Sequence, residues 1–88
     1  MPYIEERRRD LIDEELVPAS AVLVYHGSTP GDLNYAVTLL VTDYLGFVPN
    51  YERFNAAIGV LECAKLELYR RMIAPYEDEK MHQNGDVY

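Results

Sequence analysis

Asn50-Tyr51-Glu52-Arg53-Phe54-Asn55-Ala56-Ala57-Ile58-Gly59-Val60-Leu61-Glu62-Cys63-Ala64-Lys65-Leu66-Glu67-Leu68-Tyr69-Arg70-Arg71-Met72-Ile73-Ala74 is the stretch that decides the fold. Phe54, Ala57, Ile58, Leu61, Ala64, Leu68, Met72 and Ile73 recur every three or four residues. That spacing predicts one amphipathic helix with an apolar stripe of about six turns. Asn50 serves as N-cap, although Arg53 stands where a full capping box has Glu. Pro75 is expected to kink or end the helix. Residues 76–83 add about two more turns before Asn84-Gly85 forces a positive-φ turn. Val87 and Tyr88 then give the tail an apolar landing on its own chain or on a neighbour.

Upstream, Leu33, Val37, Leu40, Val41, Tyr44 and Leu45 also keep helical spacing, with Asn34, Thr38 and Thr42 on the other face. Asp32 reads as the N-cap of this helix and Gly46 as its stop. Residues 32–45 and 50–74 are then expected to pair as an antiparallel hairpin across Phe47-Val48-Pro49. Gly27-Ser28-Thr29-Pro30-Gly31 is a loop by composition. Pro18 ends what precedes it, because it biases Val17 away from helical backbone. Residues 19–26 read as either a second helix or a short strand; helix is favoured because a lone strand has no partner. Residues 1–17 form a charged helix with a narrow stripe of Ile4, Leu11, Ile12 and Leu16. Glu5 has Arg8 and Arg9 within helical reach, and Glu6 has Arg9. The acidic segment 76–88 closes a single helical domain, residues 1–88. The fold class is all-α, with three to four helices built on the hairpin.

The chain has 88 residues and 49% apolar side chains, ordinary globular composition. A chain this short buries only about 60–65% of its unfolded surface, so a lone monomer is marginal. One cysteine and two histidines supply neither disulfides nor zinc spacing, so long packed helices or further copies must add the stability. A homo-oligomer is expected. The net charge of −7 opposes binding to a nucleic acid duplex. No apolar run reaches the roughly 20 residues of a membrane span, and the charged opening lacks a secretory core. With an unpaired cysteine, these features predict a cytoplasmic protein.

Asn55, Gly59 and Glu62 share a polar face of the long helix. Gly59 in mid-helix costs about 1 kcal/mol against Ala, which points to close approach by another helix or a ligand. Asn34, beside Tyr35, begins the preceding helix and is expected to face Asn55. These groups would form either a buried structural network or a polar ligand pocket. Arg70-Arg71 offers a bidentate clamp for phosphate or carboxylate, with Lys65 as the remaining helix cation. Solvated arginines, or pairing with a neighbour's acidic tail, are the plainer reading. Eight tyrosines against two phenylalanines and no tryptophan suit an interface or stacking on a base. Tyr69 and Tyr76 are nearest the arginines, although Tyr69, like Tyr44, reads equally as a core residue. Glu62 and Glu67 invite a metal or acid–base reading, but five residues at helical pitch set them roughly 140° apart. Cys63, beside Glu62, is a small core residue rather than a nucleophile. No catalytic set, metal site or cofactor motif is present.

Gly31-Asp32-Leu33-Asn34-Tyr35, the run from Ile58 to Arg71, Pro75-Tyr76-Glu77-Asp78-Glu79-Lys80 and Asn84-Gly85-Asp86-Val87-Tyr88 resemble a family of small uncharacterised proteins of tailed phages and bacterial genomes. The likeness spans most of the chain, including Met1-Pro2-Tyr3-Ile4. It carries no assigned activity or catalytic residues, and implies a phage or prophage setting in a host cytoplasm. Several small phage proteins of this size counter host defence by sequestering nucleotide signals, an analogy of context and not homology. The expected function is a non-enzymatic helical oligomer binding a small anionic ligand such as a nucleotide signal. Its site would be Asn34, Tyr35, Asn55, Glu62, Lys65, Tyr69, Arg70, Arg71 and Tyr76. One alternative is an acidic protein–protein inhibitor or adaptor acting on a host protein. Another is a helical nucleotide diphosphohydrolase, which the carboxylate spacing opposes.

Overall fold

The computed structural model describes residues 2–26 and 28–88, and every regular element among them is helical. Met1, at the head of the opening motif, and Gly27, in the expected loop, lie outside the described residues. Helix α1 runs Glu6–Tyr25, α2 Pro30–Leu45, α3 Tyr51–Leu68 and α4 Ala74–Asn84, with a π turn at Tyr69–Ile73 joining the last two. The chain divides into two units, residues 2–57 and 58–88, so the boundary falls inside α3.

In the first unit, α1 overturns the expected break at Pro18. It continues through the proline to Tyr25, and residues 19–26 hold no strand. Proline removes one N–H and crowds the carbonyl four residues back, but the helix tolerates both. The Ser20 hydroxyl donates to the Val17 carbonyl at 2.8 Å, just ahead of the proline. At the start of α1 the ion pair that forms is Arg7 with Glu5, at 3.4 Å and fully in solvent. The sequence pattern had paired Glu5 with Arg8 or Arg9, whose backbone N–H groups instead donate to the Glu5 carbonyl.

Helix α2 begins earlier than its apolar periodicity indicates. Thr29, not Asp32, is the N-cap: its Oγ1 accepts from the Asp32 N–H at 3.2 Å, and Asp32 Oδ2 accepts from the Thr29 N–H at 2.9 Å. This capping box satisfies two orphan donors, and Pro30 at the first turn has no N–H to lose. Further along, the Thr38 and Thr42 hydroxyls donate to the Asn34 and Thr38 carbonyls at 2.8 Å each. That face is thereby closed on its own backbone. Gly46, at φ 76°, ends the helix as expected.

The α2–α3 corner is fastened by Arg53. Asn50 Oδ1 accepts from the Arg53 N–H at 2.9 Å, the expected cap. The Arg53 guanidinium donates to the Tyr44 carbonyl at 2.6 Å and lies over the Tyr44 ring, 4.9 Å from its centroid. The Tyr44 carbonyl is one of the last four of α2, which lack helical partners. The part of the expected hairpin that lies within this unit is this corner. Within this unit α1, α2 and the opening turns of α3 do not pack along their lengths.

In the second unit, the regular turns of α3 stop at Leu68, ahead of Pro75, and helical backbone continues as a π turn. The Ala74 N–H donates to the Tyr69 carbonyl, five residues back, and the widened turn carries the chain into α4 with Pro75 in its first turn. Helix α4 reaches Asn84, and Gly85, at φ 92°, caps it through its N–H to the Met81 carbonyl at 2.8 Å. The tail does not dock within its own unit: Val87 and Tyr88 are exposed, and the Tyr88 N–H turns back to Asp86 Oδ1.

Candidate functional site

The one buried residue among those described is Ala57. The long apolar stripe expected to form a core is instead open, with Phe54, Ile58, Leu68 and Met72 all exposed. Tyr44 and Tyr69 are about half exposed rather than core tyrosines. Cys63, expected as a small core residue, is also exposed. Helical periodicity assigns each of them a face, and nothing within its unit covers that face.

The expected site residues fall into the two units. Asn34 and Tyr35 lie on α2, and Asn55 on the first part of α3. The asparagines do not bond to each other. Asn34 Oδ1 takes a long 3.4 Å contact from the Thr38 hydroxyl of its own helix.

Glu62, Lys65, Tyr69, Arg70, Arg71 and Tyr76 belong to residues 58–88. Lys65 pairs with Glu62 at 3.1 Å. Arg70 pairs with Glu67, one turn earlier and only partly exposed. Tyr69 donates its hydroxyl proton to Glu77 at 3.1 Å, across the π turn. That hydrogen bond, with the carboxylate's charge, holds the Tyr69 phenol above its usual range. The Lys80 ammonium lies 5.6 Å from the Tyr76 ring centroid, so a cation already occupies one face of the ring expected to stack. Arg71 makes no ion pair among the described residues. It sits within the π turn, a backbone irregularity often found at functional sites. Glu62 faces Lys65 of α3 and Glu67 faces Arg70 of the π turn, and no group of metal-binding side chains occurs among the described residues.

An apolar groove lies in the first unit, away from all the charged candidates. Helices α1 and α2 line this groove of about 670 Å³. Leu16, Ala19 and Leu23 come from one helix, and Leu33, Ala36 and Leu40 from the other. The sequence reading missed it as a site. Leu33 and Leu40 stood in the α2 stripe, but the expected break at Pro18 hid the matching face of α1.

Residues 1–87 match the family model for a domain of unknown function, DUF6899. The chain belongs to this family. No curated protein and no solved structure matches it. The resemblance to a family without assigned activity is thus met at the level of the family, over nearly the full length of this DUF6899 member. No helix among its described residues is long and apolar enough to cross a membrane.

Proposed function

We propose that the protein is a non-enzymatic helical binding protein that works as a homo-oligomer. The observation that supports this is the near-absence of an interior: Ala57 alone is buried among the described residues. In proteins most helical stability comes from packing an amphipathic face, and burial of apolar surface is the main favourable term in folding. Further copies of the chain supply that burial. The ligand held by the assembly is a small anion, for which a nucleotide signal is the leading candidate in the phage or prophage setting implied by the resemblance. Arg71 supports this part, since it carries no ion pair among the described residues and stands next to Arg70.

A second reading, an acidic inhibitor or adaptor that binds a host protein, is favoured by the apolar groove of the first unit. The two are separated by light scattering at micromolar concentration, followed by calorimetric titration with mono-, di- and cyclic nucleotides. We expect a mass above the 10.1 kDa of one chain. We also expect nucleotide binding that Arg71→Ala weakens roughly tenfold to a hundredfold, the usual loss of a charge-assisted phosphate contact. A monomer would sink the oligomer. An oligomer that takes up no nucleotide would transfer the function to the protein–protein reading.

A further inference from the structure

We infer that the groove between α1 and α2 is the seat of self-association, filled reciprocally by the α1–α2 pair of a second copy to give a two-fold four-helix bundle. The inference rests on the oligomer proposed above and names its interface. Both walls repeat one pattern. Leu16, Ala19 and Leu23 stand at i, i+3 and i+7 on α1, and Leu33, Ala36 and Leu40 at the same spacing on α2. Each wall is therefore large, small, large, with alanines at the waist. Small side chains there admit a crossing helix closely, while the leucines either side interdigitate with the incoming ridge. Leu23 and Ala36 are already half-buried, whereas Leu16, Leu33 and Leu40 are exposed and await cover.

The groove lining is mostly apolar, with His26, Ser28 and Tyr35 at its polar margin and two further polar groups already engaged. The Ser20 hydroxyl proton is engaged by the Val17 carbonyl, and the Asp32 carboxylate by the Thr29 N–H. Ligand pockets orient their occupant with a few free, converging polar groups. An apolar helix face needs none, and the chain carries one of matching pattern. The exposed area points to a second copy. Helices of 20 and 16 residues are about 30 and 24 Å long, and Leu16, Leu33 and Leu40 stand exposed along them. A standard interface takes only about 800 Å² from each partner. Reciprocal packing of one pair on another is the closed, isologous solution that most dimers adopt. The net charge of −7 opposes approach at long range, but salt screens it beyond about 8–10 Å, so association strengthens with ionic strength.

The test is sedimentation equilibrium of the full chain as wild type, Leu40→Glu and Leu66→Glu, with circular dichroism of each. Leu40 and Leu66 are both about half exposed, Leu40 in the groove and Leu66 on α3. We expect a wild-type dimer, at least tenfold weaker association for Leu40→Glu at retained helicity, and no change for Leu66→Glu. Should Leu40→Glu lose its helicity, a second pair of variants on a Cys63→Ser background decides. Ala36→Cys, at the waist, should oxidise to a covalent dimer, and Thr38→Cys, outside the groove, should not. A dimer untouched by Leu40→Glu, dissociated by Leu66→Glu instead, or cross-linked equally by both cysteines places the interface elsewhere and overturns this inference while leaving the oligomer standing. A wild-type monomer overturns both.

Discussion

Gly59 stands in the middle of α3 with nothing within 4 Å of where a Cβ would be. The sequence pointed to a close approach there, and within the single chain none exists. Gly59→Ala should therefore stabilise the helix by about 1 kcal/mol, seen as a higher melting temperature. A lower one would show that another chain's backbone presses on this position. Residue-level chemistry was legible where a local rule acts alone: Asn50 caps, Gly46 and Gly85 end their helices. It was misread at Thr29, although the signal was present. Thr29 and Asp32 have capping-box spacing, and Pro30 fits a first helical position. The apolar repeat begins only at Leu33, which drew the boundary too late. Arg53 was seen only as an imperfect box residue, since no local pattern reveals that its guanidinium would reach back to Tyr44.

At the scale of elements, the two prolines impose one cost. Proline removes a single hydrogen bond and crowds one carbonyl, and each helix absorbs the insult differently. Helix α1 runs straight through Pro18, while the helix ahead of Pro75 widens into a π turn. Pro18→Ala returns the missing N–H and relieves the Glu14 carbonyl. It should stabilise α1 by up to about 3 kcal/mol, measured as increased ellipticity and a later thermal transition. If α1 in solution breaks at Pro18 as the sequence rule has it, the substitution will instead add whole turns of helix, a much larger rise in ellipticity than one repaired bond can give. Helix existence was thus readable from periodicity, but helix length near prolines was not, because it depends on how cheaply the backbone can deform.

For the molecule as a whole, the all-helical class was legible and the partner of each face was not. Periodicity says that Leu61 and Leu68 share a side of their helix; it is silent on what lies against that side. The candidate site suffered likewise. Lys65 and Arg70 read as ligand cations, yet acids three residues before each claim them. If cover comes from other copies, folding and association are linked, and the melting temperature should climb with protein concentration by mass action. A transition independent of concentration over two decades would argue for a chain that closes on itself. The thinness of contacts between sequence-distant residues, described above as helices that do not pack along their lengths, also has a kinetic side. Helices form within about a microsecond without waiting for remote segments to meet, so the first step of maturation is nearly instantaneous. The second is an encounter between molecules, whose half-time shortens as copies accumulate. Activity would then switch on with abundance, late and steeply, because the helices of a newly made chain are held only once copies meet.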